Sequence, residues 1–400
     1  MTNDGNPQAS ESATPPLPNE IIGLMVDELR ADIPALRACS TVCSLWYYFC
    51  KRHLYRSINL DTPDKIDGLV LASEDGDLPI LRYTHTLSLG VAGMASWRYA
   101  DKLVIALGVF AKKASIKCLA LKEMKFTLVS GYNVAGLVET TRTLSRTVSK
   151  LELSDCLFVR HGDIESLIRS FPLCKSLRLR RCSWQSTQLA PMFSSLPTHT
   201  VSLDELEITT RKTLAVYDLS EIVEQQWLDT TGLKSLTYSV MKYSMAIKVF
   251  DAVKSCRLEK LRISCRCKEY YVFVFQKLRR VVPRVRSLTI AADGVGAPWS
   301  LSLFLRTFRA LPNLERLTIA TIDPISQVPR FWSAVDAICG SGRVYESLAT
   351  VEFYFDLPRP ASGLQYVKRE ELREKLPYLA EHGMLKVSDP NVGGMDWLRS

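Results

Sequence analysis

Residues 174–179 read CKSLRL, and this six-residue phrase, Leu-x-x-Leu-x-Leu with conservative replacements, occurs in ten copies along the chain. The others are THTLSL from 84, IKCLAL from 116, VSKLEL from 148, LDELEI from 203, LKSLTY from 233, LEKLRI from 258, VRSLTI from 285, LERLTI from 314 and LATVEF from 348. Their second anchors stand at 87, 119, 151, 177, 206, 236, 261, 288, 317 and 351, at intervals of 25 to 34 residues. One such phrase is a fragment of a helix or of a buried strand in any α/β fold. Ten at this spacing specify stacked units, each burying its leucines only against its neighbours, with periods close to or just above those of leucine-rich repeats.

Between anchors the pattern turns helical, as in GDIESLIRSF (162–171), SLFLRTFRALP (302–312) and MAIKVFDAVKSC (245–256). A short strand on one side and a helix on the other predict an α/β chain whose residues 61–366 form an irregular leucine-rich-repeat-like curved solenoid of about ten repeats. Cys156 and Cys182 follow their last anchors by three residues, where such repeats place Asn or Cys. REELREKLPYLAEHGMLKV (369–387) predicts an amphipathic helix and a short strand, a cap over residues 367–400 for the open end. Side chains alternate along a strand, so residues between and just after the anchors share one face. That concave stripe holds Lys150, Glu152, Arg178, Arg180, Glu205, Glu207, Lys260, Arg262, Arg316, Glu352 and Tyr354. It is a mixed-charge surface suited to a protein substrate.

The front of the chain has a different character. In LPNEIIGLMVDEL (17–29), Ile21, Ile22, Met25, Val26 and Leu29 recur on one helical face, with Pro18 in its first turn. Gly23 costs such a helix about 1 kcal/mol relative to Ala. Asp32 is a natural N-cap for a second helix, and Trp46, Phe49, Cys50, His53 and Leu54 mark a third. A unit of this size buries too little to stand alone and needs a neighbour or a partner. Together LPNEIIGLMVDEL and ALRACSTVCSLWYYFCKRHLYRSINL closely resemble an F-box.

That resemblance implies a helical hairpin over residues 15–60 that docks onto the Skp adaptor and, through it, a cullin. Leu17, Pro18, Ile21, Ile22 and Leu29 would form the first contact patch. Leu36, Cys39, Val42, Cys43 and Trp46 would supply the second patch and the packing inside the hairpin. Ser44 departs from the family by standing where a basic residue is common, and Gly23 by weakening the first helix. The function so implied is the substrate-recognition subunit of an SCF-type ubiquitin ligase, without catalytic residues of its own. The alternative is a non-catalytic repeat scaffold whose front helices are only a cap and whose curved face binds protein or RNA without ubiquitination.

Composition agrees with a globular, non-membrane protein: 400 residues, 47% hydrophobic and 23% charged, with no apolar run long enough to span a bilayer. The start, MTNDGNPQASESATPP, lacks the basic head and apolar centre of a secretory signal. Residues 1–14 are polar enough to predict disorder. Eleven scattered cysteines and no Asn-x-Ser/Thr acceptor point to reduced thiols and a cytoplasmic or nuclear chain.

No catalytic or cofactor motif is present. GVGAPW (294–299) lacks the third glycine of a dinucleotide fingerprint. Cys256, Cys265 and Cys267 lack the usual CxxC spacing and a nearby histidine, and the five histidines are isolated, so neither a metal nor a cofactor is expected. The net charge of +9 is modest. RLRRC (178–182) is offset by LDELE (203–207) one strand away, and aromatics are sparse around it and around LRRVVPRVR (278–286), which argues against nucleic acid.

Overall fold

Each Leu-x-x-Leu-x-Leu phrase becomes a strand, and the strands line up in chain order. The computed structural model describes residues 17–74, 78–90, 98–126, 143–186, 199–209, 222–223, 227–240, 243–265, 284–292, 313–321, 329–340, 347–355 and 369–388. Its seventeen strands are β1 (Ser57–Leu60), β2 (Thr86–Gly90), β3 (Cys118–Lys122), β4 (Lys125–Phe126), β5 (Lys150–Ser154), β6 (Leu157–Arg160), β7 (Ser176–Arg180), β8 (Ser183–Ser186), β9 (Val201–Ser202), β10 (Glu205–Thr209), β11 (Leu228–Asp229), β12 (Ser235–Val240), β13 (Lys260–Cys265), β14 (Ser287–Ala292), β15 (Arg316–Thr321), β16 (Thr350–Phe355) and β17 (Leu385–Ser388). Twelve of them form one open parallel sheet in the order β1-β2-β3-β5-β7-β10-β12-β13-β14-β15-β16-β17.

The register follows the phrase. Leu87, Leu119, Leu151, Leu177, Leu206, Leu236, Leu261, Leu288, Leu317 and Val351 stand beside one another across the sheet, all buried. The next buried row runs through Leu89, Leu121, Leu153, Leu179, Ile208, Tyr238, Ile263, Ile290, Ile319 and Phe353. Because the side-chain period is two, a slip of one residue would turn both rows outward, so burial enforces this register. Ahead of the strands, one carbonyl in each repeat, from Arg56 through His85 to Glu315, accepts the two consecutive amides that open the next strand, at 2.8–3.1 Å. The repeat is thus written in the backbone as well as in the leucines.

Three successive copies leave the sheet through the same bend. Glu123, Asp155 and Arg181 adopt left-handed φ values of 56°, 56° and 55°, and the chain then enters β4, β6 and β8, which form a small parallel sheet of their own. Phe126 stacks on Phe158 there at 4.6 Å. Just behind the second and third bends, Cys156 Sγ donates to the Leu121 carbonyl at 3.4 Å and Cys182 Sγ to the Leu153 carbonyl at 3.2 Å. These are the two cysteines singled out by their spacing.

The helices are α1 (Asn19–Glu28), α2 (Ile33–Ser40), α3 (Ser44–Leu54), α4 (Pro63–Glu74), α5 (Arg98–Lys113), α6 (His161–Arg169), α7 (Tyr243–Val253), α8 (Pro329–Gly340), α9 (Arg369–Lys375) and α10 (Pro377–Glu381). The predicted helices after 162 and 245 are α6 and α7; that of 302–312 lies outside the described residues, as does the tail 1–14. One apolar cluster joins sheet and helices from Leu60 to Leu379.

The large sheet reaches into both end segments. The sheet begins at Ser57, inside the expected front module 15–60, and ends in β17, inside the expected cap 367–400. The single helix predicted at the C-terminus is two, because Pro377 has no amide to continue α9. The Asp336 carboxylate of α8 instead accepts the amides of Tyr378 and Leu379, both at 3.2 Å.

Candidate functional site: an apolar front patch and a charged sheet face

The front helices carry a core of their own. Ile22, Val26, Leu36 and Cys50 are buried together, with Leu29, Cys39, Leu45, Trp46, Phe49 and Leu54 packed around them, in a cluster separate from the main core. Asp32 caps α2 as predicted, its Oδ1 accepting from the Ala35 amide at 2.9 Å. Gly23 has a physical reason: a Cβ there would stand 3.4 Å from the Phe49 ring, so the glycine lets α1 lie close against α3. Asp27 ties the same two helices by accepting from Arg52 at 2.7 Å and meeting His53 Nε2 at 2.8 Å.

With that core filled, the remaining apolar side chains face outward. Leu17, Pro18, Ile21, Val42 and Cys43, all expected contacts, are exposed. Ile22, expected in the contact patch, is 4% exposed and belongs to the internal packing, because α1 needs two adjacent positions per turn to close on α2 and α3. Leu36 is buried, while Leu29, Cys39 and Trp46 are half-buried around it, so they are internal packing as well. Sequence reasoning missed Leu24 (63% exposed), and it missed Ile33, Tyr47 and Tyr48; Met25 was placed on the helical face without being assigned to the contact. The signal was present: α1 has more apolar residues than one buried stripe uses.

The sheet brings all eleven predicted stripe residues to one face. Lys150, Glu205, Lys260 and Arg316 share the first row of the strands; Glu152, Arg178, Glu207, Arg262 and Glu352 share the third; Arg180 and Tyr354 share the fifth. In the first half of this face the arginines and glutamates satisfy one another. Arg180 Nε lies 2.6 Å from Glu207 and its Nη1 3.5 Å from Glu152, while Arg178 reaches Glu207 at 3.5 Å and Glu152 at 3.8 Å. Glu205 accepts from Ser176 Oγ at 3.0 Å. The acids of LDELE do offset the basic RLRRC, by standing beside it in register.

Farther along, the third and fifth rows carry small buried side chains that the sequence reading passed over: Thr237, Ser239, Ser264, Thr289, Ala291, Thr318 and Ala320. They occupy the same places in the phrase as the charged residues, which is the signal that could have found them. Between them Lys260, Arg262 and Arg316 are exposed.

Among the described residues no group of three or more His, Cys, Asp or Glu could hold a metal. Cys267, GVGAPW and the first part of LRRVVPRVR lie outside those residues. Cys39, Cys43, Cys50, Cys118, Cys156, Cys174, Cys182, Cys256 and Cys339 are free thiols. Burial pushes Cys174 up to about 11 and Cys339 up to about 12, and raises Cys156 and Cys256 as well, so these thiols stay protonated and non-nucleophilic at neutral pH. No described helix is long and apolar enough to cross a membrane.

No protein-family model matches the chain, and no characterised protein matches it at a significant level. Its surfaces are therefore interpreted from their own chemistry.

Proposed function

We propose that this protein is the substrate-recognition subunit of an SCF-type ubiquitin ligase. Its front helices dock onto the Skp adaptor and thereby a cullin, and the sheet, as the concave face of a leucine-rich-repeat solenoid, holds a protein substrate. The chain contributes no catalytic group; it raises the rate of ubiquitin transfer by holding the substrate at high effective concentration near the charged enzyme.

The observation that carries this reading is the outward apolar surface of a module whose own core is already complete. Leu17, Ile21, Leu24, Met25 and Val42 are each 43% or more exposed although Ile22, Val26, Leu36 and Cys50 are closed off beneath them. Exposed large apolar groups clustered on a small module mark a docking surface, and the sequence around them resembles an F-box.

Co-expression with the Skp adaptor tests it. The wild-type chain should co-purify as a stable complex, and Leu17→Ala, Pro18→Ala, Ile21→Asp together should abolish capture without unfolding the chain, since all three residues are exposed. A soluble wild-type chain that ignores the adaptor overturns the proposal.

A cap on a non-catalytic scaffold is the second reading, and one observation favours it. The module's exit strand β1 pairs along its whole length with β2, and Lys51 lies over the Tyr83 ring at 5.6 Å, so the front helices are also tied to the end of the sheet.

A further inference from the structure

The sheet face changes character half-way along. From β5 to β10 its arginines lie between glutamates, and Arg178 and Arg180 each reach both Glu152 and Glu207. From β13 to β15 it presents Lys260, Arg262 and Arg316, all exposed and with no ion pair or hydrogen bond among the described residues. The register sets their arrangement: Lys260, Ser287 and Arg316 stand in one line across the three strands, and Arg262, Thr289 and Thr318 in the next line of the same face. The backbones of Lys260 and Arg316 are about 10 Å apart across two strand spacings, and the lines about 7 Å apart.

The acids nearby do not close this patch. Glu352, on the next strand, accepts from Thr318 Oγ1 at 3.3 Å. Glu259 and Glu315 fall just ahead of the strands at the alternate parity, and Glu315 lies 3.7 Å from Arg286. Between the cations the same face carries only the small side chains of Thr289, Thr318, Ser264, Ala291 and Ala320, all buried. The result is three exposed cations on one stretch of the sheet face, among small side chains that bring no charge of their own.

We infer that the β13–β15 segment of the sheet face binds an extended acidic protein segment whose Asp and Glu carboxylates meet Lys260, Arg262 and Arg316. Charge complementarity selects this occupant. Carboxylates spaced by about 7 Å, as at alternate residues of an extended chain, match the spacing of the two lines. The closed network on β5–β10 has no such vacancy, since a carboxylate arriving there must displace Glu152 or Glu207. This inference deepens the ligase proposal by naming the class of substrate segment, and it rests on that proposal only for its biological purpose.

The test uses the full chain, a fluorescent twelve-residue peptide of alternating Glu and Ser, and its Gln-for-Glu counterpart. Wild-type protein should bind the acidic peptide, with affinity falling steeply as salt rises, and should ignore the neutral one. Lys260→Ser, Arg262→Ser, Arg316→Ser together should weaken binding about tenfold, against less than twofold for the control Lys112→Ser, Lys254→Ser, Arg373→Ser, which removes the same charge from exposed sites elsewhere. Equal losses in both triple variants, equal binding of the neutral peptide, or tighter binding of a uridine oligonucleotide of the same length would overturn the inference. Wild-type salt dependence and the neutral-peptide comparison stand even if a variant misfolds. Adaptor capture measured on the same samples separates the two ideas: capture can fail while peptide binding survives, and the reverse.

Discussion

At the scale of single residues, the bends after β3, β5 and β7 make a sharp comparison. Glu123, Asp155 and Arg181 all hold a left-handed backbone that costs a non-glycine residue about 1 kcal/mol. Asp155 is compensated by its ion pair with Arg181, whereas Glu123 has no such partner among the described residues. Glu123→Gly should therefore raise stability by up to about 1 kcal/mol, while Asp155→Gly should lower it; urea denaturation of both variants checks the contrast. The buried thiols make a second residue-scale prediction. Cys174 and Cys339 keep their protons to about pH 11 and 12, against an ordinary value of 9.0 in the unfolded chain. Above pH 9 the unfolded chain releases protons that the fold retains, so stability should be level below pH 9 and fall as the pH rises from 9 toward 12. The denaturation midpoint should fall between pH 8 and 10.5, and less so in Cys339→Ala.

At the scale of elements, β1 decides how the front module can be separated from the rest. It is both the exit of the F-box-like segment and the first strand of the sheet. Removing residues 17–54 leaves β1 to cover β2, and the remainder should stay soluble and folded. Removing 17–60 uncovers the β2 edge, whose residues Leu87 to Gly90 are buried in the intact protein, and should promote aggregation through edge pairing. Light scattering and circular dichroism of the two deletions distinguish these outcomes. If the shorter deletion also aggregates, the front helices are a cap rather than a docking module. Helices α6 and α7 were legible because their apolar residues recur at helical spacing, and Asp32 because a carboxylate before an apolar run caps a helix. The split between α9 and α10 at Pro377 went unread, because proline is also tolerated in a helix's first turn, and the short strand expected beyond it offered only LKV, too little to show that it would join the sheet.

At the scale of the whole molecule, the two apolar clusters differ greatly in extent. One runs unbroken through twelve strands, while the other holds four fully buried residues. Calorimetry should therefore show two transitions: a small early one for the front helices and a large later one for the sheet. Saturating Skp adaptor should raise the first and leave the second unmoved, since a ligand stabilises only the unit it binds. A single transition would mean that the ties at β1 and Tyr83 couple the two cores into one cooperative unit.

The sequence alone determined ten of the twelve strands of the large sheet and their common register, because ten copies of one phrase have only one way to bury every leucine at once. It also determined which eleven polar residues share a face, since alternation along a strand is a matter of bond geometry. Tertiary structure decided what counting along the chain does not reach. Which apolar residues of α1 close a core and which face outward depends on how three helices cross, and put Ile22 inside with Leu24 and Met25 outside. Which charges on the sheet face are satisfied depends on neighbours 25 to 34 residues away, and it left Glu152, Arg178, Arg180 and Glu207 bound to one another and Lys260, Arg262 and Arg316 exposed without an ion pair among the described residues.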